Sequence, residues 1–139
     1  MDLHIKAEAA LHSRVGEIDP HNFDADGPMF TKIQLPCLLR PGGCILVTTV
    51  EEVHIPMFFS GLIGMRSTWA RLGLITPPTV ADPGFEGTLT LELYNASPNA
   101  VMIQPGDSIW HILLVSTPFE LSYTGRYQQQ KGLTLPKQL

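Results

Sequence analysis

The sequence has 139 residues, of which 44% are hydrophobic and 16% are charged, and its formal net charge is -4. This composition suits one compact domain with a hydrophobic core. The lack of a basic excess argues against a general nucleic-acid binder. An acidic chain can still hold a phosphorylated small molecule where Arg or Lys residues cluster locally.

The N-terminus and the cysteines exclude further classes of protein. Asp2, His4 and Lys6 lie where a signal peptide would have an apolar core, and no apolar run approaches the roughly 20 residues of a membrane span. Cys37 and Cys44 form no Cys-x-x-Cys pair, so we interpret them as free thiols rather than zinc ligands. The five histidines are scattered, and none is assigned to a metal. We therefore expect a cytoplasmic protein without a membrane partner.

Twelve prolines and twelve glycines divide the chain into short runs rich in Val, Ile, Leu, Thr, Phe and Tyr. This pattern predicts an all-β sandwich or barrel. The first segment alternates as a strand does, although its alanines also suit a helix. In chain order, we predict strands over residues 2–9, 30–35, 44–50 with 53–55, 57–65, 88–94, 101–103 and 109–115. Residues 74–80 are predicted to be extended, because Pro77 and Pro78 forbid a helix. Residues 57–65 and 109–115 are apolar enough to predict buried strands, and residues 13–29 are predicted to form a loop.

The stretch MRSTWARLG contains the best helix candidate, which is short and spans residues 67–72. Ser67 is the expected N-cap and Gly73 the expected end. On a helix, Ser67 and Arg71 share one face, and the free backbone N–H groups of the first turn point the same way. With Arg66 they would form a phosphate cradle. The alternative is a surface turn whose arginines pair with acidic neighbours. We call the segment from Arg66 to Arg71 the arginine turn.

The predicted strand 88–94 carries one carboxylate on its polar face. Its leucines alternate toward the core, so Glu92 shares the opposite face with Thr90 and Tyr94. A carboxylate there is solvated unless that face is covered, for instance by a neighbouring subunit. A covered Glu92 could move protons between a water and a ring nitrogen. Asp82, ahead of Pro-Gly, is interpreted from the pattern as a turn-former.

Three motifs in this order make the chain resemble a known family: MRSTWARLGL, TVADPGFEGTLTLELYN and YTGRYQQQKGLTLPK. The chain resembles the dCTP deaminase family of the trimeric dUTPase-like superfamily, and its motif sequences are most similar to those of archaeal and phage-like members. The resemblance implies one domain over residues 1–139, with a distorted jelly-roll or β-barrel of the β-clip type. Residues 119–139 would be a C-terminal flap. The family has a helical segment before its early strand, and that segment is expected to be absent here.

The resemblance also implies residue roles at the reacting centre. Arg66 and Ser67 match the pair that holds the substrate phosphate and helps to order the active site. Arg71 matches the arginine near the base and the catalytic water, and Glu92 matches the general base and acid. Asp82 matches the aspartate near the deoxyribose. The expected catalytic residues are therefore Glu92, Arg71 and Ser67.

The C-terminal motif is implied to fold over the bound nucleotide through Tyr127, Gln128 and Lys131, and Gln130 lies in the same segment. The implied reaction is the hydrolytic deamination of dCTP to dUTP and ammonia, in a homotrimer whose active sites lie between subunits. No zinc is expected, because the His-x-Glu and Pro-Cys-x-x-Cys motifs of the zinc deaminases are missing. Mg²⁺ would accompany the triphosphate.

Two alternatives stay open. A dUTPase on the same scaffold would cut between the α- and β-phosphates, with Asp82 activating water. The deaminase itself could also combine both activities in one site, giving dUMP and pyrophosphate. Glu92 favours the deaminase, because a pure dUTPase needs no carboxylate at that position. The other alternative is a non-catalytic trimer that binds nucleotide.

Overall fold

The structure is a computed structural model that describes all residues from Met1 to Leu139. It contains ten strands and one short helix, which confirms the predicted all-β class. The elements are β1 Asp2–His12, β2 Phe30–Gln34, β3 Cys37–Leu39, β4 Cys44–His54, β5 Phe59–Met65, α1 Ser67–Arg71, β6 Leu74–Ile75, β7 Thr79–Ala81, β8 Glu86–Asn95, β9 Val101–Ile103 and β10 Ser108–Ser116. None of the helical residues forms a segment long and apolar enough to cross a membrane.

Eight strands form one antiparallel sheet that curls into a half-barrel. The strand order is β6-β8-β4-β1-β10-β5-β7, and β2 pairs with β1 off this path. β3 and β9 form a separate two-stranded sheet. The order places β8, which carries Glu92, near one edge of the large sheet, whereas β5, which leads into α1, lies near the other edge.

The core lies on one face of this sheet. Twenty buried hydrophobic residues form a single cluster, and Trp110 is its largest fully buried side chain. A second, smaller cluster of Ala10, Phe30 and Leu46 lies apart from it, packed against Leu133 and Leu135 of the C-terminal segment. β1 contributes to both clusters, because successive side chains of a strand point to opposite faces, so Ala9 joins the main cluster and Ala10 the smaller one. The C-terminal segment therefore docks on the outward face of the sheet.

Two segments that were predicted to be buried strands are buried only in part. β10 buries its first residues, but Leu113 is 61% exposed, and Leu62 in β5 is 43% exposed. Leu113 pairs with Leu62, and Leu62 pairs with Val80 of β7, so the three side chains form an apolar row across the outward face. The prediction was wrong here because an apolar run alone does not distinguish a core strand from an apolar surface.

The helix is also shorter than predicted and begins differently. It ends at Arg71, with Leu72 as the C-cap residue. Gly73 follows with a φ of 87°, the left-handed conformation expected of a glycine that ends a helix. Ser67 is not the cap: Arg66 occupies that position, and no side chain caps the helix. The physical reason is that the Arg66 N–H donates to the carbonyl of Ile109 in β10, 2.8 Å away, which fixes the start of the helix.

Candidate active site

A cavity of about 360 Å³ lies between the outward face of β8 and the C-terminal segment. Most of its lining is apolar, and Asp82, Thr90, Glu92 and Gln130 supply polar groups. A mostly apolar cleft with a few convergent polar groups is the usual form of a small-molecule site. Thr90 and Glu92 on the predicted polar face of this strand are therefore partly covered within the chain itself, whereas Tyr94 on the same face is 42% exposed.

The register of β8 places Glu92 in this cavity. Glu92 pairs with Leu46 and Thr90 pairs with Thr48 across β4, while the leucines of β8 point into the core, as predicted. Glu92 is half-buried. Its backbone carbonyl accepts a hydrogen bond from the hydroxyl of Thr76, 2.7 Å away, which ties this part of the strand to the segment after β6. The carboxylate forms no ion pair within the chain, so it stays available to a ligand.

Cys44 lies diagonally beside Glu92, because Cys44 pairs with Tyr94 on the neighbouring strand. Burial raises the pKa of the Cys44 thiol, and the negative charge of Glu92 raises it further. Cys44 therefore stays a protonated thiol at neutral pH rather than a reactive thiolate. Both cysteines are free, in agreement with the sequence-based prediction.

Asp82 lines the same cavity from the turn that connects β7 to β8. The turn closes with a hydrogen bond from the Phe85 N–H to the Asp82 carbonyl, 3.0 Å long. Gly84 has a φ of 77°, a conformation that glycine adopts without strain. The ring of Phe85 meets Tyr123 edge-on, with the ring centroids 5.8 Å apart, so the C-terminal segment packs against this turn.

The C-terminal segment follows the backbone of β8. The side chain of Gln130 donates to the Thr88 carbonyl at 2.7 Å, and the Gln130 carbonyl accepts from the Thr88 N–H at 3.0 Å. Further on, the Thr134 N–H donates to the hydroxyl of Thr90, 3.0 Å away. These bonds hold Tyr127 and Gln130 against the cavity.

Two other C-terminal residues from the sequence analysis lie outside this lining. The side-chain oxygen of Gln128 accepts from the Glu86 N–H at 2.9 Å, and its nitrogen donates to the Gly84 carbonyl at 2.8 Å. The amide of Gln128 is thus occupied with holding the segment onto the sheet. Lys131 has its Nζ 3.8 Å from a carboxylate oxygen of Glu52, on the exposed surface.

The arginine turn lies away from the cavity of its own chain. Arg66, Ser67 and Arg71 are absent from the cavity lining, and the guanidinium of Arg66 pairs with Asp2 and Ser108. One chain therefore brings together Asp82, Glu92, Tyr127 and Gln130, but it does not bring the arginine turn to them. A shallow depression beside α1 is lined mostly by apolar residues of β5 and β6.

Sequence reasoning missed several residues that line the cavity. His12 lies at the end of β1, with its ring edge-on to Phe30 and the centroids 4.6 Å apart, and burial lowers the pKa of its imidazole. Tyr123 and Leu135 line the cavity from the C-terminal segment. Extending the alternation of the first strand beyond Ala9 would have brought His12 onto this face, but the C-terminal residues carry no periodic signal. No cluster of three or more His, Cys, Asp or Glu side chains could hold a metal ion.

Similar solved structures define the fold class as dUTPase-like. A 2′-deoxycytidine 5′-triphosphate deaminase from Agrobacterium tumefaciens gives a TM-score of 0.76 at 11% identity, covering 86% of this chain and 42% of that chain. A dUTPase of Staphylococcus bacteriophage 80alpha gives a TM-score of 0.51 at 16% identity, covering 69% of this chain and 80% of the phage chain.

Sequence comparison gives the family. A family model described as dCTP deaminase-like matches residues 1–117. A dCTP deaminase of Pyrobaculum neutrophilum is 39% identical over 141 aligned positions, which cover 100% of this chain and 80% of that relative. The chain therefore belongs to the dCTP deaminase-like family, and the resemblance seen in the three motifs is confirmed.

Proposed function

We propose that this protein hydrolyses dCTP to dUTP and ammonia, with Glu92 as the carboxylate that transfers protons. The observation that carries the proposal is the position of Glu92: half-buried, without an ion-pair partner, in an apolar cavity that also contains Asp82. We take dCTP as the substrate because the relatives are named dCTP deaminase. Such a carboxylate, next to a ring nitrogen and a water, suits general acid–base chemistry.

In the proposed mechanism, Glu92 takes a proton from water and delivers it to N3 of the cytosine ring. The hydroxide attacks C4, and Glu92 then moves the second proton of that oxygen to the amino group, which leaves as ammonia. The apolar walls supplied by Leu46, Phe85 and Leu135 lower the local dielectric and strengthen these interactions. No zinc enters the proposed mechanism, because the chain lacks the His-x-Glu and Pro-Cys-x-x-Cys motifs of the zinc deaminases.

The triphosphate would be held by the arginine turn of a second subunit, since the turn lies outside the cavity of its own chain. The apolar row of Leu113, Leu62 and Val80 supports such a partner, because a row of this kind across three strands is more often covered than exposed. Val80 also lines the cavity, so a subunit that covered the row would reach the mouth of the site. We propose a homotrimer, with Mg²⁺ bound to the triphosphate as part of the substrate.

A second activity in the same site is favoured by one observation. Asp82 lines the cavity together with Glu92, so a carboxylate is present that could activate water for attack between the α- and β-phosphates of dUTP. The products would be dUMP and pyrophosphate. Both reactions use one bound nucleotide and do not need separate cavities.

The test is to incubate the purified protein with Mg²⁺ and either dCTP or dUTP, and to follow ammonia and pyrophosphate. Ammonia from dCTP is the expected result, and pyrophosphate from dUTP would add the second activity. Pyrophosphate from dUTP without ammonia from dCTP would replace the deaminase with a dUTPase. If neither ammonia nor pyrophosphate forms although the nucleotide binds, the protein is a nucleotide-binding protein without catalytic activity.

Glu92→Gln tests the assignment of the carboxylate. The variant should lose ammonia release by about 10²-fold or more, because the amide cannot take the proton, while dCTP binding measured by calorimetry stays close to that of the wild type. Glu86→Gln is the matched control on the same strand, since Glu86 pairs with His54 and does not line the cavity. Wild-type turnover in Glu92→Gln would remove this role from Glu92.

A further inference from the structure

Arg66 is held by two residues that the sequence analysis did not connect to it. Its Nη1 donates to a carboxylate oxygen of Asp2 at 2.5 Å and to the hydroxyl of Ser108 at 2.9 Å. The indole N–H of Trp69, inside α1, donates to the backbone carbonyl of the same Ser108 at 2.8 Å. Asp2 starts β1 and Ser108 starts β10. The arginine turn is thus fastened, through Arg66 and Trp69, to the first residues of two paired strands.

These bonds matter because the helix has little else to hold it. α1 has five residues, buries none of them and has no side-chain cap. A helix of one turn is not stable on its own. Trp69 is partly buried against the main core, and the backbone N–H of Arg66 donates to the Ile109 carbonyl. The remaining ties are the side-chain bonds of Arg66 and Trp69. The direction of the Arg66 side chain therefore depends on Asp2 and Ser108.

The pairing also leaves a defined part of the guanidinium free. The two hydrogens of Nη1 are used by Asp2 and Ser108, whereas Nε and Nη2 form no hydrogen bond within the chain. An arginine has five N–H donors in a rigid plane, so fixing Nη1 also fixes the direction of the edge made by Nε and Nη2. This edge presents two parallel donors, which match two oxygens of one phosphate group.

We propose that Asp2 is a positioning residue for nucleotide binding: with Ser108, it aims the free Nε–Nη2 edge of Arg66 at the triphosphate. The inference rests on the proposed function, in which Arg66 holds phosphate. The side chains of Arg66 and Asp2 are 43% and 50% exposed, so the pair contributes little to the stability of the fold. Its contribution lies in the direction of the arginine, because a bidentate contact forms only when both donors face the phosphate oxygens.

The test compares dCTP with deoxycytidine, which lacks the phosphates. Dissociation constants are measured by calorimetry in a Glu92→Gln background, where dCTP is not consumed, with and without Asp2→Asn. We expect Asp2→Asn to weaken dCTP binding by about tenfold, because the charge-assisted bond that holds Arg66 becomes a weaker bond to a neutral amide oxygen, and to leave deoxycytidine binding unchanged. In protein with Glu92 intact, the KM for dCTP should rise by a similar factor while kcat stays the same.

Three further variants make the result specific. Ser108→Ala removes the other partner of Nη1 and should weaken dCTP binding in the same direction. Arg66→Lys lacks the planar edge, so adding Asp2→Asn to it should cost nothing more. Asp26→Asn is the matched control, because it removes a carboxylate from an exposed ion pair with Lys32 on another part of the surface.

Unchanged dCTP binding in Asp2→Asn would overturn the inference, and so would an equal loss of deoxycytidine binding. Failure of the proposed function has a different signature. If the wild-type protein releases no ammonia from dCTP, the deaminase is rejected, and the binding measurements alone then decide the role of Asp2.

Discussion

Glu92 differs from the paired carboxylates of this chain in its surroundings. Asp2, Asp26, Glu51, Glu52 and Glu86 each lie within 4.0 Å of a cation or a histidine. Glu92 is half-buried among apolar side chains and has no such partner. Leaving a partly buried carboxylate unpaired costs free energy, and a bound substrate would supply the missing partners. Its neighbour Cys44, with its raised thiol pKa, stays neutral and does not add a second charge.

Glu51 is the carboxylate whose contribution to stability can be tested by pH. It accepts hydrogen bonds from the His4 N–H at 2.8 Å and from His4 Nδ1 at 2.6 Å, where the register of both β1 and β4 is irregular. Burial alone would raise the pKa of the Glu51 carboxyl, but the hydrogen bonds from His4 outweigh it, and the pKa is lowered. The ionised carboxylate therefore stabilises the folded state.

Glu51→Gln should lower the free energy of unfolding at pH 7 by about 1 kcal/mol, because the charge-assisted bonds to His4 become neutral ones. A lowered folded pKa means that this contribution is present above the unfolded pKa, about 4.5, and is lost as pH falls through the lower folded value. Urea titrations at a series of pH values should show the two proteins converging in acid. Glu52→Gln is the control, since Glu52 forms only an exposed pair with Lys131. A constant difference down to the acid end would contradict this assignment.

At the scale of elements, the strands were predictable because turn residues mark their ends. Pro36, Gly73 and the Asp82 turn each lie at an element boundary, and the leucines of β8 alternate into the core as expected. The exposure of the second half of β10 was not predictable, because the sequence does not distinguish an exposed Leu113 from a leucine in the core. The prediction that Ser67 caps the helix was wrong, because a contact with β10, which is distant in sequence, sets the start of the helix.

The candidate site was predictable only in part, for the same reason. Glu92 follows from alternation along one strand. The link between Arg66 and Asp2 joins residues 64 positions apart, and no local pattern shows it. The C-terminal segment docks in part through hydrogen bonds to backbone groups of β8, such as the Thr88 carbonyl, and the sequence of the segment does not reveal these bonds.

The docking of the C-terminal segment can be tested through Gln130. Gln130→Ala removes the side-chain bond to the Thr88 carbonyl and should speed hydrogen exchange of the Thr88 amide by about fivefold, the effect of losing about 1 kcal/mol of local stability. The KM for dCTP should rise as the segment closes less well. Gln129→Ala is the adjacent control, because the side chain of Gln129 is exposed and forms no hydrogen bond. Equal exchange in both variants would show that this bond does not hold the segment.

At the scale of the whole molecule, one chain keeps the cavity and the arginine turn apart. The cavity holds Glu92 and Asp82, and the arginine turn lies elsewhere, fastened to Asp2 and Ser108. The apolar row of Leu113, Leu62 and Val80 is a surface that a neighbouring subunit would cover in the proposed homotrimer. The proposed homotrimer would place the turn of one subunit at the cavity of the next, so each site would need Glu92 and Arg71 from different chains.

Mixing two inactive variants tests this arrangement most directly. Glu92→Gln and Arg71→Ala protein are unfolded, combined in equal amounts and refolded, and ammonia release from dCTP is measured. Random assembly of trimers should restore about one quarter of wild-type activity, because most trimers are mixed and each mixed trimer contains one intact site. A mixture of Arg66→Ala with Arg71→Ala should stay inactive, since both changes fall on the same side of the site. No recovery from the first mixture would contradict a site in which Glu92 of one subunit meets the arginine turn of another.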